Sequence, residues 1–283
     1  MNRKILVTGA TGTIGKAVVT ALKDEKASFV AGVRNKAMAA EKLGADVELV
    51  SFDFEDPATY GAATEGVDKV FLLGPPLVTN LDSLLTPFID FLNRKSIKRV
   101  VYVGSLGMEK LADLPFHVLL TEKLKRDGFE YTILKPSFFA QNFKNYEWQN
   151  IIERGITFAP AGNGKVAFVD VHDIAGVAAK ALTEEGHVSK TYEITGPETL
   201  SYTEAATILS EVTNKQVIYP NPTAEEYTGA LKGAGAPDFI APYMISVYSL
   251  IANNEVNVVS PIVEELTGKK PTSLKAVLQR DFA

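Results

Sequence analysis

Up to about residue 135 the chain alternates short runs that are apolar on both faces with longer stretches whose apolar positions recur every three or four residues. The β-branched runs Ile5–Thr8, Phe29–Val33, Val47–Phe52, Val70–Leu73, Val100–Val103 and Tyr131–Leu134 predict buried strands. The stretches Ile14–Leu22, Leu81–Asn93 and Leu119–Asp127 predict helices. Strands without a polar face, separated by helices, imply a mostly parallel sheet covered on both sides. Right-handed crossovers make such a sheet doubly wound, and its ligands lie beyond the carboxyl ends of the strands.

After Phe139 the rhythm changes. The pattern predicts a helix over 145–154, a turn at Pro160–Gly164, an apolar strand over 167–171, a helix over 173–182 and a strand over 192–195. Residues 203–212 are amphipathic and 217–219 strand-like, and the helical pattern beyond Asn221 is broken by Gly233–Pro237 and Pro242. The expected organisation is a core over 1–155, with 156–283 completing the sheet and forming a small C-terminal α/β lobe for substrate. The Pro- and Gly-containing stretch 221–243 is expected to act as a lid that orders on binding.

Composition narrows the function classes. A net charge of −5 supplies no basic face, so neither nucleic acid nor an anionic membrane is an expected partner. The absence of cysteine excludes disulfides, thiolate catalysis and cysteine metal sites. The N-terminal residues enter a short apolar run without a secretion signal, and no stretch reaches the roughly 20 apolar residues that span a bilayer. A cytoplasmic protein is expected; a homodimer is compatible with the sequence but not specified by it. The three histidines, His117, His172 and His187, show no metal-ligand spacing.

Val7-Thr-Gly-Ala-Thr-Gly-Thr-Ile-Gly15 leaves the first strand and opens the first helix. Gly9, Gly12 and Gly15 permit a tight turn, close approach of a diphosphate and close helix–strand packing. The amides around Thr11, Thr13 and Ile14 then meet the diphosphate at the positive end of the helix. A doubly wound Rossmann sheet that binds a dinucleotide is the fold expected from this loop in this position. At the end of the second strand, where an NAD-binding chain carries an acid, stand Arg34 and Asn35, followed by Lys36. An arginine there can stack on adenine and pair with a 2′-phosphate, so NADP is expected in preference to NAD, and NADPH to NADH. Asp53, with Phe54, ends the third strand and is assigned to the adenine; Asp56 before Pro57 is assigned to a helix cap. Leu73, Gly74 and Pro75 end the fourth strand, where a small Gly74 admits the nicotinamide-side ribose.

These residues, with Arg99–Ser105, Tyr131–Asn142, Phe168–Ala175, Tyr192–Pro197 and Leu266–Pro271, resemble the NmrA-like group of atypical short-chain dehydrogenases over nearly the whole chain. The resemblance implies that Ser105, Pro136, Phe138 and Phe139 approach cofactor or substrate. The chain departs from the wider group at one decisive point. Tyr-x-x-x-Lys on the helix after the fifth strand is missing, and 114–122 reads Leu-Pro-Phe-His-Val-Leu-Leu-Thr-Glu. Tyr131 and Lys135 have the spacing but lie in a strand, about 13 Å apart at roughly 3.3 Å per residue, too far to couple. His117 is the one ionisable side chain near the vacant position, either as a proton donor or as a packed residue at a helix start.

Loss of the tyrosine demotes alcohol oxidation and epimerisation, which need a base for a hydroxyl. Hydride delivery to a quinone, azo compound or other planar conjugated acceptor needs orientation in a dry pocket, for which Phe138, Phe139, Tyr146 and Trp148 are candidate walls. The resemblance therefore implies an NADPH-dependent quinone-type reductase. A non-catalytic NADP(H)-binding redox sensor and a biosynthetic imine or alkene reductase are the alternatives. No catalytic residue is assigned from sequence.

Overall fold

The computed structural model describes residues 4–282; Met1–Arg3 of the N-terminal segment and Ala283 lie outside the described residues. The first half runs β1 (Lys4–Val7), α1 (Thr13–Asp24), β2 (Phe29–Val33), α2 (Lys36–Leu43), β3 (Leu49–Ser51), α3 (Tyr60–Ala63), β4 (Val67–Leu72), α4 (Leu81–Arg94), β5 (Arg99–Val103), α5 (Phe116–Arg126) and β6 (Glu130–Pro136). The second half runs α6 (Asn142–Asn145), β7 (Lys165–Val166), α7 (Val171–Thr183), β8 (Lys190–Ile194), β9 (Leu200–Ser201), α8 (Tyr202–Thr213), α9 (Ala224–Gly233), α10 (Ile240–Ala252), α11 (Ile262–Thr267) and α12 (Leu274–Phe282).

Seven strands form one sheet in the order β3-β2-β1-β4-β5-β6-β8, parallel from β3 through β6. Leu6, Val70 and Val100 stand in register on the three central strands and are fully buried, which is why these runs carry no polar alternation. The order reverses between β1 and β4, the switch point at which open α/β sheets take ligands. The fold is the α/β Rossmann-like architecture the alternation implies.

Two compact units interleave along the chain. The first comprises Met1–Ser105, Phe116–Lys135 and Val171–Tyr192. Within it α1 packs on α7: Ile14, Ala17, Val18 and Leu22 make one buried stripe, and the small residues Ala175, Ala178, Ala179 and Ala181 let the helices approach closely. The second comprises Leu106–Pro115, Pro136–Asp170 and Glu193–Ala283. Within it α8 packs on α12 and α9 on α10, and β7 and β9 form a two-stranded antiparallel ribbon.

Three local expectations for the second unit give way. The helix expected over 145–154 is replaced by the short α6 and a separate π-helical turn, Asn150–Arg154. The apolar run over 167–171 is not a regular strand. Val169 pairs with the segment after β6 through Val169 N–H to Phe138 O and Ala140 N–H to Val169 O, and Val171 already starts α7. Burial alone makes that run apolar, and periodicity cannot separate a buried crossing from a strand. Residues 217–219 contribute one bridge, Ile218 to Ile156. Among the described residues no helix is long and apolar enough to cross a membrane.

The C-terminal helix is held to its unit by a buried charge. Asp170 is 1% exposed; it accepts from Arg280 Nη1 at 2.8 Å and Nη2 at 3.2 Å and from Gln141 Nε2 at 2.8 Å. Removing the guanidinium strands a desolvated carboxylate, although the half-exposed position of Arg280 lets water substitute in part. Arg280→Ala is expected to cost about 1–3 kcal/mol in urea denaturation. An unchanged midpoint would show that Asp170 is already satisfied without it.

Candidate functional site

Parallel pairing brings the carboxyl ends of β1 to β5 to one edge of the first unit. Thr8, fully buried, follows β1 there. Its hydroxyl accepts from Leu73 N–H at 2.8 Å and lies 3.0 Å from Leu73 O and 3.1 Å from Phe71 O, tying the end of β1 to the end of β4. The chain then turns through Gly9, whose φ of +63° lies in the left-handed region, and Gly12 N–H closes the turn on Gly9 O at 3.0 Å. A Cβ at Gly15 would stand 2.0 Å from Gly9 O, so helix and turn can meet only there through glycine. Gly12, the N-cap of α1, has no side chain to satisfy the first-turn amides. That leaves a polar, positively polarised helix end beside a backbone concavity, into which a diphosphate fits.

The other residues read as cofactor ligands divide between the two units, and some have a structural task as well. Thr11 is half-buried and Thr13 exposed in the loop, while Ile14 belongs to the buried face of α1. Arg34 follows β2, is exposed, and has no ion-pair or hydrogen-bond partner among the described residues. Asn35 caps α2, accepting from Met38 N–H at 3.1 Å. Asp53 accepts from Glu55 N–H at 3.1 Å, and Phe54 meets Phe52 edge-on at 4.8 Å in a cluster with Phe88. Asp56 caps the turn at Pro57 by accepting from Ala58 N–H at 3.1 Å, as read from the sequence. A Cβ at Gly74 would meet Leu81 Cδ1, the movable end of a side chain on α4, at 2.5 Å. Leu73 and Ser105 are half-buried and Pro75 exposed. Pro136, buried, and Phe138, half-buried, belong to the second unit.

His117 lies in the first turn of α5, and its Nδ1 is 2.6 Å from the hydroxyl of the buried Tyr102 on β5. Burial pushes the Tyr102 phenol up and the imidazole down to about 4. A neutral ring that accepts the tyrosine proton bond at Nδ1 carries its own hydrogen on Nε2. The lowered pKa favours the neutral ring at neutral pH, in keeping with the reading of His117 as a packed residue at a helix start.

The second unit holds a narrow recess lined by Phe138, Phe139, Asn142, Phe143, Phe168, Tyr202 and Glu147. Phe143 and Phe168 pack at 5.2 Å, and Phe138 stacks on Tyr248 at 6.0 Å. Of the four aromatics expected to face an acceptor, the structure places Phe138 and Phe139 here and two elsewhere. Tyr146 is 66% exposed, and Trp148 packs on Phe282 at 5.0 Å with Lys144 over its ring. Glu147, between them in sequence, turns inward instead. Its Oε2 accepts from the Thr157 hydroxyl at 2.5 Å and from Phe158 N–H at 2.7 Å. Burial raises its pKa and outweighs both hydrogen bonds, which favour the charged form. No sequence signal marked it: Glu147 stands in a polar stretch where an ordinary helix was the expected structure. Among the described residues no cluster of His, Asp and Glu is placed to hold a metal.

A model of the NmrA-like family matches residues 1–280. The chain is 36% identical over 270 residues to an NAD(P)H azoreductase of Xenophilus azovorans, covering 94% of this chain and 93% of that one. The NADPH-dependent quinone oxidoreductase of Escherichia coli, solved with NADPH, superposes with a TM-score of 0.88 at 27% identity, over 99% of this chain and 100% of that chain. The triphenylmethane reductase of a Citrobacter species, solved with NADP(H), gives 0.85 at 28% identity, over 98% and 99%.

His117 makes stability pH-dependent. The folded ring titrates near 4 and an unfolded histidine near 6.5. In that interval the unfolded chain binds a proton the native protein refuses, so stability falls as pH drops from 6.5 toward 4. His117→Gln is expected to flatten that part of the curve in denaturation series, and an unchanged slope would contradict the burial assigned to the ring.

Proposed function

The chain belongs to the NmrA-like family, and on that premise we propose that it is an NADPH-dependent reductase of quinones, azo compounds or similar conjugated acceptors. The observation that carries the reading is the glycine cradle at the switch point, with the unpartnered Arg34 standing at the end of β2 where NAD-binding chains carry an acid. When bound, NADPH supplies a hydride. Backbone amides of the Gly9–Gly15 loop hold the diphosphate, and Arg34 pairs with the 2′-phosphate as a bidentate donor. Asp53 and Phe54 are assigned to the adenine side; Leu73, Gly74, Pro75, Ser105, Pro136 and Phe138 to the nicotinamide side.

Phe138 and Phe139 offer flat walls to a planar acceptor, and residues 156–283 shape the substrate lobe. Without a Tyr-Lys pair the protein has no base for alcohol oxidation, which favours acceptors that are already electron-poor. The reading extends to a cytoplasmic enzyme, in keeping with a cysteine-free chain.

Purified protein is expected to oxidise NADPH in the presence of quinones or azo dyes and to prefer NADPH to NADH. Arg34→Ala is expected to lower kcat/KM for NADPH by roughly 10- to 100-fold, the worth of a charge-assisted pair, with little change for NADH. No acceptor-dependent oxidation across a broad panel would overturn the reductase reading, and equal loss with both cofactors would overturn the role of Arg34.

A further inference from the structure

The half-buried rings of Phe138 and Phe139 sit on a stretch that is tied down on either side of them. Ser137 N–H donates to Ile194 O at 2.9 Å. The stretch then pairs with Val169 around Phe139, through Val169 N–H to Phe138 O and Ala140 N–H to Val169 O, each at 2.9 Å. The next residue on each partner continues the pairing with side chains. Gln141 and Asp170 are both buried, and Gln141 Nε2 donates to Asp170 Oδ1 at 2.8 Å. Arg280, in the last turn of α12, meets the same carboxylate with two guanidinium nitrogens and donates through Nε to Asp281 Oδ1 at 2.9 Å. Backbone pairing, amide and guanidinium form one connected path from the C-terminal helix to the two rings, all of it inside the second unit.

The carboxylate is the pivot of that path. The Gln141 amide can hydrogen-bond to it but cannot neutralise it, whereas the guanidinium supplies the charge and, with two donors, sets its direction. Without Arg280 the desolvated carboxylate turns toward water, and Gln141 follows or loses its partner. Gln141 adjoins Ala140, so that movement reaches the pairing on which Phe138 and Phe139 rest. Docking of α12 does not need the guanidinium: Leu274, Val277 and Leu278 are buried, Lys275 pairs with Glu211 at 2.8 Å, and Phe282 packs on Trp148. Resting on the reductase reading above, we propose that Arg280 is a positioning residue of the acceptor site, holding Phe138 and Phe139 in place for a planar conjugated acceptor through Asp170 and Gln141. A displacement of about 1 Å at such a wall costs up to roughly 100-fold in rate.

Arg280→Ala is expected to lower kcat/KM for quinone or azo acceptors by roughly 10- to 100-fold. The Kd for NADPH, whose phosphate ligands are assigned to the first unit, should change by less than about threefold. Gln141→Leu leaves Arg280 on Asp170 and should cost a similar factor, with no further loss in the double variant, because the two residues act in series. The Arg280 side chain is 43% exposed, open enough for a small ion to replace it. Millimolar methylguanidinium should therefore restore turnover to Arg280→Ala but not to Gln141→Leu, and tetramethylammonium to neither. Two readouts on the free protein need no turnover. Amide hydrogen exchange at Ala140 and Val169 should quicken in both variants while Leu6 and Val70 on the central strands keep their protection. Emission from Trp148, the one tryptophan of the chain, should keep its wild-type wavelength because α12 stays docked. Additive losses in the double variant, an equal loss of NADPH affinity, unchanged exchange at Ala140 and Val169 or a shifted Trp148 emission would each overturn the proposal. If the wild type reduces no acceptor, the reductase reading falls, and exchange at Ala140 and Val169 still decides whether Arg280 holds this stretch.

Discussion

The first unit depends on a contact that leaves no room for a side chain. Helix α1 starts so close to the end of β1 that any Cβ at Gly15 would penetrate the Gly9 carbonyl. The turn that makes this possible needs the positive φ of Gly9, and it is locked from the other side by Thr8, whose hydroxyl bonds to Leu73 on the neighbouring strand. Three glycines and one threonine thus fix the helix end at the switch point of the sheet. The same crowding that excludes side chains exposes backbone amides, so a packing requirement and an anion site are one feature. Strand order and the buried apolar strands serve to place it.

What the chain lacks shapes the chemistry as much as what it has. The position of the dehydrogenase tyrosine is taken up by a helix start at which His117 is bonded to Tyr102 and held neutral by burial. Proton-bearing groups appear instead in the second unit, where Glu147 and several phenols share an aromatic interior.

The sheet was legible because buried parallel strands are apolar throughout and glycine spacing encodes a local geometry; β2 falls on the five residues of the run that predicts it. The cap at Asp56 was legible for the same reason, since Asp-Pro at a helix start is local chemistry. The second unit was less so. The run 167–171 reads as a strand but is a buried crossing that pairs through Val169 with 138–140, and Asn145–Arg154 reads as one helix but breaks into two turns. Both outcomes rest on contacts distant in sequence. Glu147 was invisible because only the fold separates it from the exposed Tyr146 and Trp148 that flank it.

The most direct test of the account is the fate of the hydride. NADPH deuterated at the transferring C4 position, incubated without oxygen with the protein and a cationic triarylmethane dye, should yield a colourless product carrying one deuterium on its central carbon, read by mass spectrometry. Reduction without deuterium in the product, or no reduction of any conjugated acceptor while NADPH binds, would contradict direct hydride delivery by this fold.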